Sequence, residues 1–408
     1  MHTNAKASAA KVFSAVLVIL TLSIGSCAQA TEKVLYSFTG LADGESPLSG
    51  LVADGKGNFY GTTVGGGTST YCRCGTVFEL SPGLNGTWSE KVLYSFSSGA
   101  GDGSAPSGGL VFDSKGNLYG TTPYGGTSSQ GTVFELTPGA NGTWSEKVLY
   151  SFTGGANGNS PYGSNLSIDR TGNLYGTTFN GGAFGFGVVF ELVAGANGTW
   201  AEKVLYSFTG DNDGSSPYAS TLVFDGFGNL YGITRDGGAH DYGVAFRLTP
   251  QSNGTWSEEI IYALTGAGGE STPTGGLLLD HAGNLYGVGF DVFELILESN
   301  GKWSKKTLHS FAGPPDGAYP ESALISDKAG NLYGTTLDGG NHHGTVFELL
   351  PGANGAWSEK VLHAFSSTDG DGVFPSFAPL TMDASGNLYG TTEYGGASNA
   401  GAVFEVTP

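Results

Sequence analysis

Five acidic side chains occupy equivalent places along the chain, and they are the first candidates for binding chemistry. Each lies four residues before a proline: Asp43, Asp102, Asp213, Asp316 and Asp371. If they gather on one surface, such carboxylates would hold Ca²⁺ or attract a cationic ligand. The phrase D-G-x-x-P also suits a plain turn, with Asp accepting backbone N–H groups and Gly at positive φ. Because no loop has the D-x-D-x-D-G spacing of a calcium loop, we expect no cofactor, with Ca²⁺ as the open alternative.

A second group of candidates lies in loops that contain a Gly-Gly pair and otherwise differ from one another. These side chains could contact a ligand, because variable loops on a rigid frame are where specificity usually resides. They are Tyr124, Arg235, His240, Asp241, Tyr242, His342, His343 and Tyr394. His240 and the pair at 342–343 belong to different repeats, about 100° apart in a seven-membered ring, so they are not expected to share one metal ion.

Signatures of common catalytic machinery are missing from the sequence. It contains no G-x-S-x-G elbow, no H-E-x-x-H helix and no phosphate-binding P-loop phrase. Two carboxylates near one another could still perform acid–base chemistry on a sugar. The sequence therefore favours a protein without catalytic activity. The alternative is an extracellular hydrolase or lyase that acts on polysaccharide or lactone at the mouth of the ring.

Cysteine is scarce, and the two residues beyond the N-terminal segment are nearly adjacent. Cys72 and Cys74 lie in the phrase TSTYCRC. A metal site needs more ligands than this pair supplies, and a disulfide across one residue requires a strained ring. Two loop thiols and one local disulfide both remain open.

The charge balance excludes several classes of partner. The chain has 17 Lys and Arg against 36 Asp and Glu, a net charge of −19. The first thirty residues contain two Lys and no acid, which leaves −21 for residues 31–408. Nucleic acid binding needs Lys and Arg to neutralise phosphates, and anionic membrane surfaces repel such a chain. We therefore expect a glycan or a protein as partner, and neither nucleic acid nor membrane.

The N-terminus reads as a targeting segment. Lys6 and Lys11 precede an apolar run over 12–24, and small residues follow in GSCAQA. The run is too short to span a bilayer, which takes about 20 residues, and the pattern is typical of a secretory signal peptide over 1–30 cut after Ala30. A lipobox-like phrase ending at Cys27 is the alternative, which would leave a lipoprotein. Either way we expect a secreted, periplasmic or cell-surface protein.

The rest of the chain is one unit repeated seven times. The phrase GNLYGTT or a close variant recurs with its Asn at 58, 117, 173, 229, 284, 331 and 387, at spacings of 47 to 59 residues. Each unit contains four short runs rich in β-branched and aromatic residues: strand a (LVFD), strand b (NLYGTT), strand c (GTVFEL) and strand d (KVLYSF). Gly, Asn, Asp and Pro separate the runs, which predicts four antiparallel strands per unit.

The two ends of the chain predict how the units assemble. KVLYSF already occurs at 33–38, before any complete unit, and the chain ends just after the seventh strand c. A ring can use this early strand to complete its last unit, whereas an open solenoid would need capping repeats. Residues 31–408 are thus predicted to form an all-β, seven-bladed β-propeller of four-stranded blades, closed by the N-terminal strand joining the last blade. We expect a monomer.

Packing inside the ring can be predicted from positions that repeat. Small residues precede strand a in most units, where innermost strands converge on the axis. The Tyr of strand b and the aromatics of strand d should fill the space between blades. All six Trp occupy one repeated position, NGTW or a variant, and we expect interblade packing rather than a sugar-stacking surface. His309 and His363 replace the Tyr of strand d and are expected to pack as aromatics.

The phrases NLYGTT, GGxxxGTVFEL and KVLYSFTG resemble the GloVer-type tandem repeat proteins of bacteria over essentially the whole of residues 31–408. This resemblance implies an exported, β-propeller-like repeat protein. The D-x-x-G-N-L-Y hairpin alone is also similar to that of NHL and gluconolactonase-like propellers, but no catalytic or metal-binding residue carries over from either family. We therefore expect an exported binding or cell-surface scaffold that recognises its ligand through the face formed by the b–c and d–a loops.

Overall fold

The fold is set by the repeated alternation of short strands and turns. The computed structural model describes residues 30–99, 101–218, 220–266, 272–368 and 370–408. The predicted signal segment, including Cys27, lies outside the described residues except for Ala30. In the described part of the chain, no helix has the length and apolar character needed to cross a membrane.

Seven four-stranded antiparallel sheets form the blades of a seven-bladed propeller, which confirms the predicted fold. Strand a, the innermost, spans Val52–Ala53, Val111–Phe112, Ser167–Ile168, Val223–Phe224, Leu278–Leu279, Ile325–Ser326 and Thr381–Met382 in blades 1 to 7. Strand b spans Phe59–Thr63, Leu118–Thr122, Leu174–Thr178, Leu230–Ile233, Leu285–Val288, Leu332–Thr336 and Leu388–Thr392. Strand c spans Thr76–Pro82, Thr132–Pro138, Val188–Ala194, Val244–Pro250, Asp291–Leu297, Thr345–Pro351 and Ala402–Thr407.

Strand d is the outer edge of each blade. In blades 1 to 6 it spans Trp88–Ser95, Trp144–Ser151, Trp200–Ser207, Trp256–Ala263, Trp303–Ser310 and Trp357–Ala364, and in blade 7 it is Thr31–Ser37. Short 3₁₀ turns occur at Leu84–Gly86, Ala140–Gly142, Gly155–Asn157, Ala196–Gly198 and Ala353–Gly355. Two-residue strands in the loops are Gly103–Ser104, Tyr124–Gly125, Gly317–Ala318, Asp338–Gly339, Gly372–Val373 and Tyr394–Gly395.

The ring closes as the ends of the sequence predict. Thr31–Ser37, which we call the closing strand, pairs antiparallel with Ala402–Thr407 as the fourth strand of blade 7. Each strand d also contacts the strands d of both neighbouring blades, in an unbroken cycle. Near the axis, the Thr391 hydroxyl donates to the carbonyl of Ser49 at 3.0 Å and joins blade 7 to blade 1. Equivalent threonine bonds join other neighbouring blades.

The core lies between blades, at contacts that we call seams. One buried cluster combines Tyr60, Leu93 and Phe96 of blade 1 with Leu118 and Phe134 of blade 2, and clusters of the same kind fill the other seams. The rings of Phe96 and Phe134 lie edge to face at 5.1 Å. Burial of such aromatics is the main stabilising contribution in this fold.

The tryptophans pack across the seams, as predicted from their repeated position. Trp144 of blade 2 lies 6.1 Å from Tyr60 of blade 1, and Trp200 of blade 3 lies 6.1 Å from Tyr119 of blade 2. In blade 1, Trp88 is the first residue of strand d and pairs with Pro82, the last residue of strand c. His309 and His363 pack edge to face on Phe311 and Phe365, as expected.

Each strand d contains a β-bulge that periodicity alone does not reveal. In blade 1, Val77 pairs with Tyr94 and Phe78 pairs with Val92, so Leu93 is the extra residue. The same shift occurs in the other blades. A bulge changes the side that following residues face, and both Leu93 and Phe96 belong to the seam with blade 2.

Candidate functional site

The ring has two faces. The a–b and c–d hairpins form one, the hairpin face, and the d–a and b–c loops form the other, the loop face. On the loop face the two kinds of loop pair with each other, as in Gly103–Ser104 with Tyr124–Gly125. Gly125 is required there, because a Cβ would lie 2.3 Å from the carbonyl oxygen of Asp102. The repeated Gly-Gly therefore permits close approach of two loops.

The predicted Asp residues of the d–a loops each bind their own turn. Asp43 accepts hydrogen bonds from the backbone of Thr39 at 2.8 Å and from the Tyr36 hydroxyl at 3.0 Å. Burial would raise the pKa of Asp43, but the bonds from Thr39 and Tyr36 hold it below the usual value. Each of the other four carboxylates accepts a hydrogen bond from a backbone N–H four or five residues earlier. The donors are Ser97 for Asp102, Thr209 for Asp213, Ala312 for Asp316 and Ser366 for Asp371. Turn chemistry accounts for these contacts, and Ca²⁺ stays an open alternative.

Backbone contacts between blades hold the loop face in shape. In six of the d–a loops, the residue before the proline has a positive φ of 52° to 59°. These residues are Ser46, Ala105, Ser160, Ser216, Tyr319 and Phe374. Ser46 donates its N–H to Ala400 of blade 7 at 2.9 Å and accepts from Val64 at 3.1 Å. Left-handed backbone at a residue other than glycine costs about 1–3 kcal/mol and persists only where surrounding contacts impose it. The loop face is thus a preorganised surface.

Three of the predicted ligand residues have structural contacts within or between loops, and a fourth is exposed. Tyr242 lies against Gly266, and Asp241 accepts the backbone N–H of Gly237 at 2.9 Å. His342 lies 3.7 Å from Asp338 and remains largely exposed. His240 is exposed. Among the described residues, His240 and His342 are not part of a common metal-binding group, and their contact with a ligand stays a prediction.

Two further predicted residues share an aromatic neighbour. His343 lies 5.6 Å from the ring of Phe374, and Tyr394 lies 6.4 Å from the same ring. This group joins the loops of blades 6 and 7. Tyr124, in contrast, leaves 52% of its surface exposed on the loop of blade 2.

Arg235 is the predicted residue that leads to the most irregular part of the loop face. Its guanidinium lies over the ring of Tyr218, 5.5 Å from the centroid. Tyr218 stacks with Tyr162 at 5.3 Å and 19° between ring planes. Phe179 and Phe377 meet Tyr218 edge to face at 5.7 and 5.4 Å. We call Tyr162, Phe179, Tyr218 and Phe377 the aromatic mouth cluster; it draws residues from blades 3, 4 and 7 together.

Carboxylates flank this cluster. Burial, and then the charge of Glu393, raises the pKa of Glu321 to about 7, while Arg235 opposes the shift. The Ser376 hydroxyl donates to Glu393 at 3.2 Å. Burial also raises the pKa of Tyr218, with Tyr162 and Glu321 adding to the effect. Stacked rings beside one cation and two carboxylates can bind a ligand that has both apolar and hydroxylated surfaces.

Sequence reasoning missed this cluster, although the sequence contains a signal for it. Two positions vary between units although the residues beside them hardly change. One follows the loop proline, and the other follows the GTT of strand b. After the proline these are Leu48, Ser107, Tyr162, Tyr218, Thr274, Glu321 and Ser376; after strand b they are Val64, Pro123, Phe179, Arg235, Leu337 and Glu393. Tyr162, Phe179, Tyr218, Arg235, Glu321 and Glu393 all come from these two positions.

The hairpin face also has a cavity, whose carboxylates all belong to the repeated turns. A space of about 1080 Å³ is bounded by the a–b hairpins of blades 5, 6 and 7, including Leu278, Asp280, Asp327, Met382 and Asp383. Each of its three Asp carboxylates accepts backbone N–H groups in its own hairpin. These groups are therefore occupied by turn formation.

The loop of blade 1 contains the cysteine pair. The structure joins Cys72 and Cys74 by a disulfide, with their Cα atoms 5.2 Å apart. The guanidinium of neighbouring Arg73 bonds Glu45 at 2.5 Å, so this loop is tied to the d–a loop that precedes strand a of blade 1.

Comparison with known proteins agrees with the repeat and the fold. The model of the Gloeobacter/Verrucomicrobia repeat family matches residues 21–166, 73–293 and 291–408, and the chain belongs to this family, which confirms the resemblance to GloVer-type repeats. No curated protein matches it in sequence.

Solved structures with similar folds include extracellular domains from B. thetaiotaomicron. One, from a protein assigned as a one component system, has a TM-score of 0.56 at 11% identity over 92% of this chain and 40% of that one. Another, assigned to a hybrid two component system, has a TM-score of 0.53 at 13% identity, over 93% of this chain and 41% of that one.

A further structure is that of PorZ, a surface component of the type-IX secretion system of Porphyromonas gingivalis. Its TM-score is 0.51 at 15% identity, over 88% of this chain and 46% of PorZ. The chain thus spans less than half the length of these three structures. At such identities the likeness concerns the fold.

Proposed function

We propose that this member of the Gloeobacter/Verrucomicrobia repeat family is an exported, non-catalytic propeller that binds a glycan at the aromatic mouth cluster. The observation that carries the proposal is the stack of Tyr162 on Tyr218 beneath Arg235. At the position of the two tyrosines, the other blades have Leu, Ser, Thr or Glu and no aromatic residue. A repeat protein keeps its scaffold residues alike, so an irregular cluster on a preorganised face is the best candidate for recognition.

The chemistry of the cluster suits a sugar. Aromatic faces pack against the apolar C–H face of a sugar ring, while charged side chains exchange hydrogen bonds with its hydroxyls. Arg235 supplies donors, and Glu321 and Glu393 supply acceptors, within one aromatic surface. Since Arg235 is offset by two carboxylates, the site favours a neutral or weakly charged glycan over a polyanion.

Two observations support export. The sequence pattern over 1–30 is typical of a secretory signal. Structures with a similar fold include extracellular domains and a surface component of other bacteria. A surface location would expose the loop face to extracellular glycans or proteins.

The test is a glycan-array screen of the purified protein, followed by titration of the strongest hit against variants. Tyr218→Ala removes the ring that contacts all other members of the cluster, and we expect binding to weaken at least tenfold, about 1.4 kcal/mol. Arg235→Ala should weaken binding by a smaller factor. Both variants should stay folded with a cooperative melt, because these side chains lie outside the seam clusters.

Blade 4 offers a matched control. Phe227, in its a–b turn on the hairpin face, is 90% exposed, so Phe227→Ser changes an aromatic residue of the same blade without touching the cluster. Its affinity should equal that of the wild type. Equal loss in Phe227→Ser and Tyr218→Ala, or no loss in Tyr218→Ala, would place the binding surface elsewhere.

One observation favours a second candidate function, hydrolysis of a polysaccharide or lactone at the same mouth. A carboxyl whose pKa is raised to about 7, as in Glu321, can donate a proton near neutral pH, and Glu393 lies close enough to influence it. In that case Glu321→Gln should abolish turnover in a hydrolase panel but weaken binding of the array hit only slightly, because the Gln carbonyl oxygen still accepts hydrogen bonds. A wild-type protein that binds but turns over no substrate supports the scaffold.

A further inference from the structure

A polar triad occurs at the outer edge of most seams. Its Glu belongs to strand d of one blade. Its aromatic residue belongs to strand d of the preceding blade, and its Asp belongs to the d–a loop that joins the two blades. At the seam of blades 7 and 1 these are Glu90, Tyr36 and Asp43, and the Tyr36 hydroxyl donates to Asp43 at 3.0 Å. Tyr206 bonds Asp213 in the same way at 2.8 Å.

The seam between blades 6 and 7 has different donors. Here the aromatic residue is His363, whose Nε2 lies 3.2 Å from Oδ2 of Asp371. Glu32 of the closing strand completes the group, and the three ligand atoms all lie within 4.8 Å of one another. Among the residues that the structure describes, no other set of three His, Cys, Asp or Glu side chains converges in this way.

Two oxygens of this group are buried without a hydrogen-bond partner: Oε1 of Glu32 and Oδ1 of Asp371. An unpartnered Glu oxygen recurs at other seams, but Asp371 is the one loop Asp of the predicted five with such an atom. Buried carboxylate oxygens without a donor are costly. The side chains of His363 and Asp371 are 21% and 12% exposed, so a small ion can reach them from solvent.

We propose that Glu32, His363 and Asp371 bind a first-row divalent transition metal ion such as Zn²⁺. One imidazole nitrogen and two carboxylate oxygens form a ligand set that such ions accept. Tetrahedral coordination with bonds of about 2.1 Å separates neighbouring ligand atoms by about 3.4 Å. The 3.2 Å between His363 and Asp371 is close to that spacing, and the Glu32 ligand atom lies within 4.8 Å of both partners.

The position of the ligands gives the ion a structural consequence. Glu32 belongs to the closing strand, His363 to strand d of blade 6, and Asp371 to the loop between blades 6 and 7. A bound ion would therefore tie the closing strand to the preceding blade as well as to its own. Since it binds only the closed ring, it would stabilise that state.

The seam between blades 5 and 6 is a natural control. It also has a histidine, with His309 Nε2 lying 3.4 Å from Asp316, and Glu359 takes the place of Glu32. These three side chains do not converge as a ligand group. The two seams thus have the same three residue types, but only at the seam of blades 6 and 7 do the ligand atoms lie close together.

The test is calorimetric titration of untagged, EDTA-treated protein with ZnCl₂, together with melting curves. We expect one strong site and a rise in melting temperature of about 2–5 °C at a hundredfold excess over the dissociation constant. His363→Tyr introduces the residue that most other seams have and should weaken binding at least about a hundredfold while the protein stays folded. Glu32→Gln should also weaken it, and His309→Tyr should leave it unchanged.

Three results would overturn the proposal. One is the absence of a Zn²⁺ site and of a melting shift in the wild type. Another is binding that survives His363→Tyr and Glu32→Gln but is lost in His342→Ala, which would place the ion on the exposed loop of blade 6. The third is an equal shift with CaCl₂ and ZnCl₂, because Ca²⁺ takes oxygen ligands and gains little from an imidazole.

Discussion

The hairpin face and the loop face belong to the same seven blades but differ in how far they repeat. On the hairpin face, an Asp accepts the N–H groups two and four residues on in every blade, as Asp113 does from Lys115 and Asn117 at 2.8 and 2.9 Å. On the loop face, the residue that follows the loop proline differs between blades and is, for example, Tyr218, Glu321 or Ser376. A turn that must form seven times tolerates little change, whereas positions that point to the mouth are free to vary.

This difference separates stability from recognition. The hairpin face and the seams supply the repeated contacts that close the ring, and the loop face places side chains on a backbone already held by those contacts. Substitutions in the first group should change the free energy of unfolding. Substitutions in the second should change binding alone.

The largest effect is expected from removing the closing strand, residues 31–37. Blade 7 would then end at Ala402–Thr407 and expose an unpaired edge along buried Val403 and Val406. We expect aggregation or loss of a cooperative melt, measured by calorimetry and light scattering.

The matched control is Lys33→Ala, which removes one side chain of that strand and its bond to the Gly86 carbonyl at 2.8 Å. It should cost no more than about 1 kcal/mol. A truncated protein as soluble and stable as the wild type would mean that closure does not stabilise the ring.

A smaller effect, spread over the whole ring, is expected from pH. Burial is the main reason that the pKa of six seam carboxyls is raised from 4.5 to about 7: Glu32, Glu90, Glu146, Glu202, Glu258 and Glu359. Between these values the folded protein holds more protons than the unfolded chain, so the free energy of unfolding falls as pH rises from about 5 to 8.

Hairpin-face carboxyls act in the opposite sense at lower pH. Hydrogen bonds hold the pKa of Asp113 below its usual value despite burial, so its contribution is lost as pH falls below about 4. Urea unfolding from pH 3 to 8 should therefore show maximal stability near pH 5. Glu90→Gln should flatten the decline above pH 5, and an unchanged slope would contradict the assignment to the seams.

The smallest effect is expected from single turn residues, and it compares the two faces directly. Asp113→Ala removes a side chain that accepts two backbone N–H groups and should cost about 1–2 kcal/mol. Tyr124→Ala, on an exposed loop, should stay within about 0.5 kcal/mol. Chemical denaturation measures both, and equal costs would show that the two faces contribute alike to stability.

Much of the scaffold could be predicted from sequence because its determinants are local and repeated. Each of three features can be identified from a few consecutive residues: the D-x-x-G-N turn, the four runs per unit and the early strand at 33–38. Because the unit occurs seven times, the pattern is clear. Ring closure follows because only a ring gives the strand at 33–38 a partner. Ca²⁺ binding at the d–a loops remains an open alternative, and the signal peptide over 1–30 remains a prediction.

Other features depended on the tertiary structure because residues distant in sequence create them. Tyr162, Tyr218 and Phe377 meet only where blades 3, 4 and 7 converge on the axis. Glu32 reaches His363 only because the closing strand completes blade 7 beside blade 6. The sequence by itself determined the seven four-stranded blades and their turns, since hydrogen bonding within a unit decides those. Which side chains share a seam or a mouth was decided by the tertiary structure, because it depends on the bulge in strand d and on the angle at which neighbouring blades pack.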